Sequence, residues 1–317
     1  MNLAANGVHI KAPRPRAVML SKRANVFYLE RARVIQVDDR LVYLTDTGAN
    51  IEKMFNIPDK NTAFLLLGKG TSITDAAMRK LAESNVMVGF CGSGGSPLFA
   101  GMDITFLPPQ DEYRPTEYMQ AWMQKWLDET QRLALAKAFL HARMEWTLER
   151  WDAQGLVIPD SQLQSFESAI HSGSTTNDLL AAEAVWAKRL YAILAKHHGM
   201  DFTREEGKRS KSTTEDQANA FLDHGNYIAY GYAATALHGL GIPFALPVLH
   251  GKTRRGALVF DVADLIKDGL VMPLAFKHGK KASKDNAFRA ELIELAQSLK
   301  VLDFLMSFLV ESARKSV

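Results

Sequence analysis

The segment LPPQDEYRP, residues 107–115, constrains this chain most, because the spacing of apolar residues changes across it. Its three prolines fix φ and remove backbone donors, so neither a regular helix nor a central strand runs through it. On its N-terminal side the runs VFYLERARVIQV, LVYLTDTG, NTAFLLLG, NVMVGFCG and SPLFAG, separated by Asp, Asn, Gly and Pro, predict strands. One helix is expected among them over TDAAMRKLAES, where Ala77 and Leu81 share a face. On its C-terminal side Trp122, Trp126, Leu133, Phe139, Leu140 and Trp146 recur at helical intervals. Helical spacing continues at 161–171, 177–198, 215–240, 259–268 and 287–314. The chain therefore reads as an α+β, two-domain protein: a small, mostly β domain with one helix over 1–106, a linker at 107–115, and a larger all-α domain over 116–317.

The 317 residues exceed a usual single domain of about 100–200, which agrees with two domains. Hydrophobic residues at 47% and charged residues at 23% exclude an intrinsically disordered chain. A net charge of only +3 excludes a histone-like polyanion binder, so any nucleic-acid affinity must come from local clusters. Cys91 is the single cysteine, which forbids an intrachain disulfide and fits a reducing cytoplasm. The first twenty residues lack a signal-peptide core, and the apolar run Val301–Val310 contains Asp303 and is too short to span a bilayer, so a cytoplasmic, membrane-free protein is expected. Two basic connectors, REEGKRSKSTTED from residue 204 and KHGKKASKDN from residue 277, are expected as exposed loops.

Two glycine-rich stretches are weaker than they look. Gly68-Lys69-Gly70-Thr71-Ser72 has its lysine between the glycines, the wrong order for a phosphate-binding loop, and is expected as a tight turn with Thr71 or Ser72 capping the helix. Gly92-Ser93-Gly94-Gly95 lies between two apolar runs, as a hairpin connection would.

Three anomalies carry chemistry. Glu183 shares a helical stripe with Leu179, Trp186 and Leu190, so its carboxylate faces the core and needs a cation, a proton or a metal. Asp261, Asp264 and Asp268 stand at spacings of 3 and 4 on one helical face, where like charges repel unless a cation compensates or the face is solvated. His250, eleven residues before Asp261, can fold back against that face, or can be a hydrogen-bonded filler. Lys252, Arg254 and Arg255 beside it suit a polyanionic substrate bridged by a divalent metal, or else simply neutralise the aspartates.

Taken together these segments resemble the CRISPR-associated integrase, the larger of the two proteins that insert new spacers into CRISPR arrays. LLGKGTSITDAAMRKLAESNVMVGF is similar to that family's turn, helix and strand in the β domain. AAEAVWAKRLY resembles its glutamate-bearing helix, and LPVLHG followed by LVFDVADLI resembles its histidine and paired aspartates. The stretch NAFLDHGNYIAYGYAATALHGLGIPFALPVLHG is most similar to the subtype I-F branch, whereas REEGKRSKSTTEDQ departs from a more proline-rich family segment.

The resemblance implies that the helical domain is catalytic and that the protein is a divalent-metal-dependent DNA endonuclease and strand-transfer integrase. Such an enzyme inserts spacer DNA by attack of a 3′-hydroxyl on a repeat phosphodiester. By resemblance, Glu183, His250 and Asp264 hold Mg²⁺ or Mn²⁺, with Asp261 a further ligand or an acceptor behind them. Lys208, Arg209, Lys211, Lys252, Arg254 and Arg255, with Lys280 and Lys281, are candidates for contacts to the DNA backbone. Expected partners are DNA, a second copy in a homodimer, and the smaller adaptation protein, which in this branch resembles a fusion to a helicase-nuclease. Two rival readings are a standalone divalent-metal DNA-repair nuclease and a metal-free DNA-binding scaffold whose acidic cluster is balanced by arginine.

Overall fold

The computed structural model describes residues 19–46, 52–90, 116–206, 212–251 and 256–314. The linker at 107–115, Cys91, the Gly92–Gly95 run and the SPLFAG strand lie outside the described residues.

Among the described residues seven strands precede the helical region: β1 (Asn25–Leu29), β2 (Ala32–Val37), β3 (Arg40–Asp46), β4 (Glu52–Ile57), β5 (Thr62–Leu67), β6 (Ser72–Ile73) and β7 (Met87–Phe90). They form two sheets rather than one. In the first, β5 lies between β1 and β7, with both pairings parallel. The second runs β4-β3-β2-β6, antiparallel except where β6 joins β2. The run expected as one strand, VFYLERARVIQV, is divided by Arg31 at φ 49, which passes the chain from the first sheet to the second. Lys69 O accepts from Arg31 N at 2.9 Å, and Gly70 at φ 72 supplies the left-handed residue of the tight turn expected there.

The cap of α1 (Asp75–Glu83) differs from the expected one. Thr74 Oγ1 accepts from Ala77 N at 3.3 Å, while Thr71 donates instead to Leu29 O and Ser72 belongs to β6. Ala77 and Leu81 then cover a core of Leu29, Val34, Leu41, Ile57, Leu65, Leu67 and Val88.

All six residues of β5, TAFLLL, are buried, because the strand serves two cores. Leu65 and Leu67 face the β core, whereas Phe64 and Leu66 belong to the helical core. There Phe64 meets Tyr232 edge to face at 5.0 Å. Full burial of a phenylalanine stabilises by roughly 1.5–3 kcal/mol, so this strand ties the two halves together.

The helical half comprises α2 (Glu117–Leu127), α3 (Glu129–Asp152), α4 (Asp160–Ser172), α5 (Thr176–His198), α6 (Thr214–Gly239), α7 (Ala257–Ile266), α8 (Met272–Lys280), α9 (Asp285–Ser298) and α10 (Val301–Arg314). Capping boxes at Thr175/Asp178 and Thr213/Asp216 start α5 and α6. The expected helical stretch 287–314 is two helices, because Lys300 at φ 51 breaks it. The basic connector expected as a loop from residue 277 is also revised: residues 277–280 continue α8, and His278 and Gly279 are buried. Between α7 and α8 the chain makes a π-helical segment, Lys267–Val271. It precedes Pro273, which has no N–H to give to the carbonyl four residues back. No helix of the described residues is long and apolar enough to cross a membrane.

Candidate metal centre

The stripe predicted on α5 is present, with Leu179, Trp186 and Leu190 fully buried and the Glu183 carboxylate among them at 14% exposure. Opposite it, α7 and the π segment carry the three aspartates. All three are buried, which removes the solvated-face alternative. They have different partners and therefore different capacities.

Asp261 is saturated. Its Oδ2 accepts from Val248 N at 2.7 Å and Leu249 N at 3.1 Å, and its Oδ1 from His250 N at 3.0 Å. Oδ1 also lies 2.6 Å from His250 Nδ1. Four donors fill the lone pairs of one carboxylate. An ionised acceptor at Nδ1 places the ring proton there and leaves the Nε2 lone pair directed inward, 4.0 Å from Asp264 Oδ2. The loop carrying these amides is itself held from α2, where Trp122 Nε1 donates to Leu246 O at 3.2 Å and Trp126 Nε1 to Pro247 O at 2.7 Å.

Asp268 is also fully engaged. Arg143 Nε and Nη2 donate to its two oxygens at 2.6 and 3.0 Å, Trp186 Nε1 donates at 3.0 Å, and Trp151 Nε1 takes its backbone carbonyl at 2.9 Å. The remaining nitrogen of the fork, Arg143 Nη1, donates to Glu183 Oε1 at 2.5 Å and lies 4.0 Å from Asp264 Oδ2. Glu183 thus has the arginine partner that the sequence allowed for. Breaking a buried pair of this kind by removing one member costs about 3–5 kcal/mol.

Asp264 is the least committed of the three. Lys267 pairs with its Oδ1, while its Oδ2 lies 4.0 Å from both Arg143 Nη1 and His250 Nε2. One donor atom each from Glu183, His250 and Asp264 lie within 4.8 Å of one another, the one group among the described residues close enough to share an ion.

The described residues that sequence reasoning missed are Arg143 and Lys267. Arg143 was detectable by the argument applied to Glu183, because it lies on the apolar stripe of α3 with Ala136, Phe139, Leu140 and Thr147. Lys267, whose ammonium also lies 5.7 Å from the Tyr230 ring centre, gave no comparable signal. Lys208, Arg209, Lys211, Lys252, Arg254 and Arg255 lie outside the described residues, whereas Lys280 and Lys281 are exposed at the end of α8.

The family described as CRISPR associated protein Cas1 matches residues 27–296, a span that includes Glu183, His250, Asp261 and Asp264. The chain belongs to the Cas1 family. It is 43% identical over 320 residues to the CRISPR-associated endonuclease Cas1 of Pseudomonas aeruginosa (strain UCBPP-PA14), covering 95% of this chain and 96% of that one. In fold it is similar to Cas1 in a solved TtCas1–DNA complex, at 22% identity and TM-score 0.68 over 92% of this chain and 93% of that one. A casposase bound to integration product is similar at 14% identity and TM-score 0.68, over 92% and 91% of the two chains.

Within this Cas1 chain the site's electrostatics favour ionised ligands at Asp264 more than at Glu183. Burial acts against the Asp264 charge, but Lys267, Arg143 and His250 outweigh it and hold the carboxyl below its ordinary value. At Glu183 burial prevails, aided by the Asp264 charge, and raises the carboxyl despite Arg143. His250 is raised as well: burial disfavours its cation, but the Asp261 hydrogen bond and the surrounding carboxylates favour it more strongly. Two carboxylates and an imidazole suit Mn²⁺ and tolerate Mg²⁺.

Proposed function

We propose that this chain is a divalent-metal-dependent DNA endonuclease and strand-transfer integrase of CRISPR adaptation, of subtype I-F, with Glu183, His250 and Asp264 as ligands of Mg²⁺ or Mn²⁺. The observation that carries the reading is the convergence of one donor atom each from Glu183, His250 and Asp264 within 4.8 Å of one another. A bound ion would supply Lewis acidity to a DNA phosphate and offset charge developing on it. Asp261 acts behind the ligands, fixing the His250 ring through Nδ1 so that Nε2 faces the centre. Lys267 and Arg143 keep Asp264 ionised and ready to bind.

In strand transfer, a 3′-hydroxyl forms a new P–O bond as the target strand's own P–O bond to its 3′-oxygen breaks, and the hydroxyl's proton leaves to solvent as that oxygen is protonated. With water as nucleophile the same site cuts DNA. Names among the similar proteins support DNA as substrate: an endonuclease in the P. aeruginosa relative, a DNA complex for TtCas1, and an integration product for the casposase. Lys208, Arg209, Lys211, Lys252, Arg254 and Arg255 are proposed to hold the DNA backbone. A second copy of the chain and the smaller adaptation protein, fused to a helicase-nuclease, are the proposed partners.

The test supplies a DNA donor with a free 3′-hydroxyl, a repeat-containing target and Mn²⁺. Covalently joined strands are expected. Shortened strands alone would favour a repair nuclease, and DNA binding without any reaction would favour a scaffold. Asp264→Ala is expected to abolish Mn²⁺-dependent cleavage while leaving DNA affinity largely intact. Unchanged cleavage would remove Asp264 from the site.

A further inference from the structure

We infer that Arg143, locked by Asp268, is a positioning residue for Glu183, fixing one carboxylate oxygen against α3 and leaving the other for a divalent ion. This rests on the metal reading above and adds to it residues outside the proposed ligand set. The arrangement is a chain of rigid parts. Trp151 and Trp186, both fully buried, hold the backbone and side chain of Asp268 through their indole N–H groups. Asp268, with no exposure, grips Arg143 through two nitrogens of the guanidinium fork. Only Nη1 remains, and it donates to Glu183 Oε1, while Glu183 Oε2 accepts no hydrogen bond among the described residues.

A cation beside a metal site could instead repel the metal. Geometry decides between the two effects. Asp268 at 2.6 Å offsets part of the arginine charge, and the hydrogen bond from Nη1 adds direction to what remains of it at Glu183. Direction requires the planar fork: a lysine ammonium is a point charge on a flexible stem and cannot hold Asp268 by two parallel bonds while reaching Glu183. Groups that orient metal ligands from behind typically alter metal affinity about 10–100-fold when changed.

The experiment measures Mn²⁺ binding to the full chain by isothermal titration calorimetry, with folding checked by circular dichroism. Arg143→Gln combined with Asp268→Asn removes the buried pair as a unit, and about 10–100-fold weaker Mn²⁺ binding with unchanged DNA affinity is expected. Arg143→Lys should weaken binding less, a partial rescue that a purely structural charge would make complete. A folded double variant that binds Mn²⁺ as tightly as the parent, or more tightly, overturns the role given to Arg143. If the double variant does not fold, Arg143→Lys decides alone, and parental affinity there overturns it equally. A parent chain that binds no Mn²⁺ removes the metal reading itself, a result distinct from variants that match a binding parent.

Discussion

At the scale of single residues, the three aspartates show how partners divide identical side chains into separate roles. Spacing alone made 261, 264 and 268 equivalent, and only the family resemblance set Asp264 apart as a ligand with Asp261 beside or behind it. The partners that separate them come from elsewhere: the amides of 248–250 for Asp261, Lys267 for Asp264, and Arg143, 125 residues away, for Asp268. Glu183 and His250 were legible because each is anomalous where it stands. Arg143 went unread although its anomaly is of the same kind. A pH prediction follows from His250. Its raised pKa lets protons compete with metal at Nε2, so Mn²⁺ affinity should fall as pH drops through a midpoint above the ordinary 6.5. In Asp261→Asn, loss of the largest influence favouring the cation should move that midpoint down, and the lost ring tether should lower plateau affinity about 10–100-fold. Calorimetric titration across pH reads both, and an unmoved midpoint would sever Asp261 from His250.

At the scale of elements, most helices followed from periodicity and capping residues, and the interruptions did not. The break at Lys300 depends on a left-handed residue that no sequence signal required, and the π segment accommodates Pro273 inside an apolar run. Strand β4 was missed because it is an edge: only Ile57 is buried, and Met54 and Phe55 are exposed, so no alternation marks it. The revised α8 is clasped to α9 by Glu291, which accepts from Lys277 at 2.5 Å and lies 2.8 Å from His278 Nε2. Burial opposes its charge, but these two hydrogen bonds hold its carboxyl below the ordinary 4.5. A depressed carboxylate stabilises the fold above its unfolded pKa and loses that contribution as pH falls through the folded value. Glu291→Gln should therefore lower stability by less than about 1 kcal/mol at neutral pH, as befits a partly solvated pair. Thermal unfolding of both proteins should converge in acid; a difference that persists at pH 3 would point to packing instead.

At the scale of the molecule, the change of periodicity along the chain announced a β region followed by a helical one, as the described residues have it. It could not announce that they share a strand, because a continuous apolar run such as TAFLLL is equally consistent with one deep core. The shared surface is tight at Gly231 of α6, where an added Cβ would lie 2.6 Å from the Phe64 ring. Alanine gains up to about 1 kcal/mol in helix propensity over glycine, whereas overpacking against an immovable buried ring costs about 1–3 kcal/mol. Gly231→Ala should accordingly lower stability in urea titration, and Phe64→Leu should recover part of the loss; a neutral alanine would mean the interface is looser than its geometry. The shared strand also orders events in time. During synthesis Leu67 leaves the ribosome 147 residues before Thr214. At about 5–20 residues per second, the outer face of β5 waits roughly 7–30 s for even the first residue of the helix that covers it. For that interval Phe64 and Leu66 lack the helix that buries them in the finished fold, so the β half is left with an apolar face that only later synthesis covers.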